Sequence, residues 1–202
     1  MTTAQVEVTR AARGEHGKVG RALGAAFVDD PVFQWLIPVG VARRDERLAT
    51  FFSSMARSYL RRDKNVYLAG DGVGGALWSA PGSWALPMTE VAREAVPSTK
   101  AFGRQLLRAL RCQLSIEAKH PDQPAHWYLG YLGVASGHQG QGIGAAMLRA
   151  VLDDADRAGV PAYLESSNER NLTLYERHGF RVVESMPLLG VGPTVWRMWR
   201  EP

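Results

Sequence analysis

The sequence predicts an α/β fold, because segments with helical spacing of apolar residues alternate with short segments rich in branched and aromatic residues. Two features carry this prediction. Val66–Ala69 and Gly75–Ser79 flank a glycine-rich turn, as in a β-hairpin. From His126 to Glu165, a strand, a second glycine-rich turn, a helix and another strand follow one another. No repeat or linker divides the chain, so we expect one domain over residues 1–202.

The N-terminal part predicts a short strand followed by a helix within Thr9–Phe27, which Asp29-Asp30-Pro31 ends. A second helix is expected over Ala42–Arg62, where apolar residues recur at helical spacing opposite a charged side. The hairpin follows, and the segment from Pro81 to Pro97 is expected to be irregular.

Ser98–Lys119 predicts a further amphipathic helix. We expect its apolar side to include Phe102, Leu106, Leu110 and Leu114. Its other side carries a basic stripe of four residues: Lys100, Arg104, Arg108 and Arg111. The stripe is interpreted as a solvated helix face, with contact to an anionic ligand or partner as the alternative.

The C-terminal part predicts alternating strands and helices. Ser166 and Glu169 have the spacing of a capping box that would open a helix running to about His178. The other expected elements are a strand over 126–134, a helix over 142–158, a strand over 160–165, a strand from Gly179 and a last strand over 194–199.

The composition excludes several classes of protein. The 202 residues carry a net charge of +4, which is far from the dense basic surfaces of nucleic-acid-binding proteins. The 26 residues from Gln123 to Leu148 have no charged side chain, but they contain His, Gln and six Gly, so we expect no membrane span. The N-terminus lacks the pattern of a signal peptide. The single Cys112 cannot form an intrachain disulfide, and we expect a cytoplasmic protein.

Two glycine clusters compete as phosphate-binding loops. Gly70–Gly75 matches G-x-G-x-x-G, but a strand follows it, so we interpret it as the hairpin turn. Gly137–Gly144 lies between a strand and a helix, and Gly130–Gly144 holds six of the 21 glycines. Bare backbone at a helix N-terminus can bind an anion through its N–H groups. This second cluster therefore predicts an anion cradle, with a tight turn without ligand as the alternative.

Three ligand chemistries would place an anion at the cradle. A P-loop is excluded because no Lys and Ser/Thr follow Gly144. A dinucleotide site would place an acidic residue at the next strand end, where Glu165 stands 21 residues beyond Gly144. Only 37 residues follow Glu165, however, which leaves no room for the remaining strands of such a sheet. Binding of an acyl-CoA is the third chemistry.

Two motifs in this region resemble the GNAT N-acetyltransferase superfamily. The first is Val134-x-x-x-x-Gln139-x-x-Gly142-x-Gly144, and the second runs from Asn168 through Tyr175 to Gly179-Phe180. Together they cover about 126–183, which would be the cofactor-binding core. Phe27–Trp35 also resembles the subgroup that contains puromycin-type antibiotic N-acetyltransferases. The family often has Pro near position 136, where this chain has Ser136-Gly137.

The resemblance implies a mixed, mostly antiparallel central sheet with helices on both faces. It also implies acetyl-CoA as the acyl donor. Leu132 to Val134 would offer backbone groups to the pantetheine arm and thioester, the turn would hold the pyrophosphate, and Asn168 would contact the cofactor. The expected cofactor-binding residues are Leu132, Gly133, Val134, Gln139, Gly140, Gln141, Gly142, Ile143, Gly144 and Asn168.

The resemblance makes Tyr175 the general acid for the leaving thiolate, with a core aromatic as the alternative. An acceptor amine of pKa about 10.4 costs about 4.6 kcal/mol to deprotonate at pH 7, so a base is useful. Glu165 is the first candidate, with a structural carboxylate as the alternative. Cys112 lies within a helix without a partner that would lower its pKa, so we do not expect a covalent nucleophile.

The expected reaction is direct transfer of an acetyl group to a primary amine of a small molecule in a ternary complex. Asp30 and Trp35 are tentative substrate-binding residues, and the five His show no metal-ligand spacing. A protein lysine or N-terminal amine is an alternative acceptor. A CoA-binding sensor without turnover is an alternative of another class. We expect a monomer or homodimer without nucleic-acid or membrane partners.

Overall fold

The computed structural model describes residues 6–62 and 65–202. Within these ranges the strands are β1 Val8–Arg10, β2 Asn65–Ala69, β3 Gly74–Ser79, β4 Trp127–Val134, β5 Ala162–Ser166, β6 Arg181–Pro187 and β7 Thr194–Arg200. The α-helices are α1 His16–Ala26, α2 Pro31–Leu36, α3 Arg44–Arg61, α4 Met88–Phe102, α5 Leu106–Glu117, α6 Ile143–Ala158 and α7 Leu172–Glu176. None of the helices in the described ranges is long and apolar enough to cross a membrane.

The described strands form a single seven-stranded sheet in the order β1-β2-β3-β4-β5-β7-β6. Only β4 and β5 pair in parallel, and every other neighbouring pair among the described strands is antiparallel. The α6 crossover connects the two parallel strands, as a parallel pair requires. The expected mixed, mostly antiparallel sheet is confirmed.

Helices cover both faces of the sheet, because successive strand residues point to opposite sides. In β3, Leu77 faces a core built with α1 and α3, which includes Leu23 and Phe52. Its neighbour Trp78 faces a second core built with α6 and α7. We call these the α3 face and the α6 face.

The sheet opens between β4 and β5. Their pairing runs only from Trp127 with Ala162 to Leu129 with Leu164, although β4 continues to Val134. Beyond Leu129, β4 therefore keeps β3 as its partner on one edge and has no strand partner among the described residues on the other. We call this opening the β4–β5 splay.

A β-bulge lies at the start of the splay. The register between β3 and β4 shifts so that Trp78 pairs with Leu129 and Leu77 with Tyr131, which leaves Gly130 as the extra residue. The shift keeps Tyr128 and Tyr131 on the α3 face, where the ring of Tyr131 lies 5.2 Å from that of Phe52. The bulge thus aligns two tyrosines along one side of the splay.

The prediction of one helix over Ser98–Lys119 is wrong. Helix α4 begins at Met88, within the segment expected to be irregular, and ends before Gly103, which has φ +51°. Arg47 on α3 donates from Nη1 to the Ala101 carbonyl at 3.2 Å, which satisfies a carbonyl that the ending helix leaves free. The basic stripe is therefore divided between two helices and the turn that joins them.

The expected apolar side of α5 is also partly wrong. Leu110 and Leu114 are 48% and 62% exposed, whereas Cys112 is buried. The break at Gly103 rotates α5 relative to α4, so that Ala109, Cys112 and Ile116 pack on the core. Burial raises the pKa of the Cys112 thiol, which disfavours a thiolate there.

Candidate active site

The glycine turn between β4 and α6 presents bare backbone at a helix N-terminus. Gly140 and Gly142 have φ +75° and +80°, and a Cβ added to either would meet no atom within 4 Å. No side chain caps α6, and its first turn contains no acidic residue. The first N–H groups of a helix have no intrahelical acceptor, so this turn fits an anionic ligand such as a pyrophosphate.

Other residues of the predicted cradle support the turn. Gln139 Nε2 donates to the Val134 carbonyl at 3.0 Å, which ties the turn to the end of β4. Ile143 is buried and anchors the start of α6 in the core of the α6 face. At Gly144 an added Cβ would lie 3.2 Å from Leu174, so α6 and α7 approach closely there.

Leu132, Gly133 and Val134 lie in the part of β4 that borders the splay. Helix α1 packs tightly against this segment, since a Cβ on Gly133 would lie 2.6 Å from the Cβ of Ala26. Helix α1 therefore packs against one face of this segment, while the edge towards β5 has no strand partner among the described residues. Such an edge can pair with an extended ligand arm.

Tyr175 is buried on the α6 face. It packs in the same cluster as Leu164 of β5, and its ring lies 6.1 Å from that of Phe180. Burial raises the pKa of the Tyr175 phenol, and the Asp30 carboxylate raises it further. The hydroxyl therefore keeps its proton at neutral pH, as a general acid must.

Asp30 is held by the chain itself. Its Oδ1 accepts from the backbone N–H groups of Val32 and Phe33 at 3.0 and 3.1 Å, which caps α2. The Ser167 hydroxyl donates to Oδ2, so Asp30 also links α2 to the loop after β5. Burial raises the pKa of Asp30 despite these hydrogen bonds. Its contact with substrate stays a prediction.

Asn168 and Trp35 likewise make contacts within the protein. Asn168 Oδ1 accepts from the Arg170 N–H at 3.1 Å and caps the short turn before α7, so the predicted cap at Ser166 is wrong. Arg108 lies 4.8 Å above the ring of Trp35, and Arg108 Nη1 donates to the Trp35 carbonyl. Their contacts with ligands stay predictions.

Glu165 is the first residue of β5 beyond its last pair with β4. It points to the α3 face, opposite Leu164 and Tyr175, because strand residues alternate. Its Oε1 is buried and has no hydrogen-bond partner in the described residues. Burial and the Glu165 carboxylate together raise the pKa of the Tyr128 and Tyr163 hydroxyls beside it.

The residues that neighbour Glu165 are not among the site residues predicted from the sequence. His120 Nδ1 lies 3.8 Å from Glu165 Oε1, and the ring of Trp84 stacks on His120 at 3.9 Å. His126 lies on the other side of His120. The six-residue spacing of the two histidines matches no motif, so only the fold brings them to the base of the splay.

Comparisons with known proteins agree with this geometry. Residues 113–180 match the model of the acetyltransferase (GNAT) family. An uncharacterized N-acetyltransferase from Schizosaccharomyces pombe is 29% identical over 184 residues, which cover 86% of this chain and 74% of that protein. The fold and these matches are those of the α/β acetyltransferases of the GNAT family.

Solved structures extend the similarity over the whole chain. A Corynebacterium glutamicum structure, described as histone acetyltransferase HPA2 and related acetyltransferase, has 26% identity, a TM-score of 0.71 and coverage of 98% of this chain and 97% of that one. A polyamine N-acetyltransferase of Drosophila melanogaster has 14% identity, a TM-score of 0.62 and coverage of 98% and 100%. The chain therefore contains a GNAT family match over residues 113–180 and shares its fold with acetyltransferases over nearly its whole length. The resemblance to the puromycin-type subgroup stays a prediction.

Proposed function

We propose that this protein transfers the acetyl group of acetyl-CoA to a primary amine of a small molecule. The carrying observation is that Glu165 lies at the start of the β4–β5 splay on the α3 face, Tyr175 packs with Leu164 on the α6 face, and the bare glycine turn follows the end of β4. A proton donor and a proton acceptor on either side of one slot suit a reaction that protonates a thiolate and deprotonates an amine.

The residues of the splay fit the donor. The N-terminus of α6 with Gly140 and Gly142 would hold the pyrophosphate, because it offers N–H groups with no side chain in the way. The open edge of β4 from Leu132 to Val134 would take the pantetheine arm. Acetyl-CoA, when bound, supplies the acetyl thioester. Asn168, at the start of the turn before α7, would contact the cofactor.

Glu165 would accept the proton of the acceptor amine. Its buried Oε1 lacks a hydrogen-bond donor among the described residues, and a buried polar atom without a partner is costly unless a ligand supplies one. A primary ammonium supplies up to three donors. Tyr175 would give its proton to the thiolate on the other face. Direct attack then needs no covalent enzyme intermediate, in keeping with the buried position of Cys112.

The small-molecule acceptor is supported by fold relatives that act on amines. The Drosophila protein is described as forming N-acetylagmatine, and a mosquito relative of similar fold as like an arylalkylamine N-acetyltransferase. The similarity to the Corynebacterium structure, described as a histone acetyltransferase and related acetyltransferase, keeps a protein lysine as the second candidate acceptor. We also propose that one domain carries out the whole reaction and that the protein acts in the cytoplasm.

An amine panel tests the proposal. Purified protein, acetyl-CoA and polyamines, arylalkylamines, amino acids or a lysine peptide are combined, and free CoA thiol is measured. We expect amine-dependent thiol release with a small amine and a loss of at least tenfold in Tyr175→Phe. Calorimetric binding of CoA to a protein that turns over no amine would instead support the sensor.

The variant Gly142→Asp distinguishes a loss of CoA binding from a loss of the fold. A carboxylate at the start of α6 would repel the pyrophosphate, so we expect CoA binding to be lost while circular dichroism stays unchanged. Equal CoA affinity in Gly142→Asp and wild type would contradict the cradle.

A further inference from the structure

His120 and His126 form a buried pair directly behind Glu165. Their Nε2 atoms lie 3.0 Å apart, and the two residues are only 7% and 3% exposed. His126 Nδ1 lies 2.7 Å from the Pro124 carbonyl. A carbonyl oxygen only accepts hydrogen bonds, so His126 carries its proton on Nδ1.

The position of this proton determines the donor in the contact between the two rings. Burial lowers the pKa of His126 and neighbouring His120 lowers it further, so His126 is neutral and its Nε2 is an acceptor. His120 Nε2 must then donate to it. Any further proton that His120 binds is therefore placed on Nδ1.

His120 Nδ1 faces the one Glu165 oxygen that has no hydrogen-bond partner in the described residues. The distance of 3.8 Å is within ion-pair range, and contacts of catalytic groups often shorten when substrate binds. Two lone pairs facing each other in a buried site are unfavourable, so this contact favours uptake of one proton from a bound ligand, held between the imidazole and the carboxylate.

Aromatic rings hold His120 in this orientation. Trp84 stacks on it at 3.9 Å, and the rings of Tyr128 and Tyr163 lie 4.7 and 4.9 Å away at nearly right angles. Arg62 donates to the carbonyls of Ser83 and Ala85 on either side of Trp84, which keeps this ring in place. The face of an indole also favours a cationic partner.

We propose that Glu165 and His120 together accept the one proton that the acceptor amine loses and act as a relay for it, with His126 as the positioning residue that sets the tautomer of His120. The relay rests on the proposed function. The N–H bond of the bound ammonium breaks as an O–H bond forms on Glu165. That O–H bond breaks in turn as an N–H bond forms on His120 Nδ1, which leaves an imidazolium and a carboxylate.

The dependence of kcat on pH tests whether the proton of the amine passes through His120 during turnover. Among the described residues, the titratable and charged groups that face His120 or its direct neighbours include Glu165, His126, Tyr59, Tyr128, Tyr163, Arg62 and Arg197, the last of which donates to the Tyr163 hydroxyl. We expect His120→Gln to lower kcat at least tenfold and to change the acidic limb of the kcat profile, while the KM for acetyl-CoA stays unchanged.

His126→Gln should give a smaller loss with a shifted acidic limb, because the tautomer of His120 is then less constrained. His16→Gln is the matched control, since His16 contacts only Arg13 and Arg57 on the surface in the contacts of the described residues. Added imidazole should restore part of the turnover of His120→Ala. Wild-type kcat and pH profile in His120→Gln would overturn the use of the relay.

Nitrogen NMR of the histidines tests the tautomers and the contact between His120 and Glu165 without turnover. We expect His126 to show the Nδ1–H tautomer, and Glu165→Gln to shift the Nδ1 resonance of His120. An Nε2–H tautomer of His126, or an unchanged His120 resonance in Glu165→Gln, overturns the proposal whether or not an amine is acetylated. Absence of turnover together with the expected NMR shifts would contradict the proposed function alone.

Discussion

Gln139 Nε2 donates to the carbonyl of Val134 at 3.0 Å and so joins the two halves of the candidate donor site. Val134 ends the strand that borders the splay, and Gln139 begins the turn that leads into α6. The glutamine of the motif thus ties the loop to the strand, and its contact with the cofactor stays a prediction. The bond holds the turn at a set distance from the open edge of β4.

Loss of this hydrogen bond should weaken donor binding. Gln139→Ala removes one hydrogen bond of about 1 kcal/mol, which corresponds to about fivefold in CoA affinity. Calorimetry with CoA measures the change. Gln113→Ala is the matched control, because Gln113 Nε2 donates to Glu117 on the exposed surface of α5. An equal or larger effect in Gln113→Ala than in Gln139→Ala would contradict this role.

The positive φ of Gly142 should make it intolerant of a side chain. We expect Gly142→Ala to destabilise the protein by about 1 kcal/mol, since the left-handed region costs a residue with a Cβ about that much. Gly137→Ala should change stability little, because Gly137 has no such φ and open space around it. Urea unfolding of both variants checks this difference, and equal losses would count against it.

Tyr175→Phe should lower kcat about a hundredfold without changing CoA affinity, because only a proton donor is removed. Burial and Asp30 raise the pKa of Tyr175, so the phenol is protonated throughout the range from about pH 6 to about pH 9 and should not itself produce a basic limb there. Stopped assays of thiol release across this range provide the measurement. Tyr67→Phe is the control, since the Tyr67 hydroxyl donates only to the Ala150 carbonyl in the contacts of the described residues.

Glu90 should make stability depend on acid pH. Its carboxylate accepts from Arg61, Ser58 and Arg93, and chiefly the Arg61 bond lowers the pKa of Glu90 from 4.5 to about 2. The folded state therefore gains stability above pH 4.5 that is lost as pH falls towards 2. The shift corresponds to about 3 kcal/mol.

Glu90→Gln should remove most of this dependence. Unfolding free energies at about pH 3 and about pH 6 should differ less in Glu90→Gln than in wild type. Glu46→Gln is the control, because the Glu46 pair with Arg43 is exposed on the surface. An equal pH dependence in Glu90→Gln and wild type would show that Glu90 does not contribute it.

Local patterns predicted much of the fold and the position of the glycine turn before α6. The hairpin, the strand before the glycine turn and the helix after it follow from periodicity and glycine placement, so Gly140 and Gly142 could be identified from the order of residues alone. The break between α4 and α5 was not predicted, although Gly103 with its positive φ lies at it; the bond from distant Arg47 to the Ala101 carbonyl, which forms only in the folded chain, stabilises this end of α4.

The prediction of the anion cradle and the resemblance that singles out Tyr175 rest on the amino-acid sequence alone, because both depend on residues that are close together along the chain. The surroundings of Glu165, by contrast, are set by the three-dimensional fold. The splay beyond Leu129 and Leu164 leaves this carboxylate at the sheet opening, and His120 and His126 reach it from the segment before β4. Such contacts arise from strand pairing and packing between distant segments, which leave no fixed spacing in the sequence.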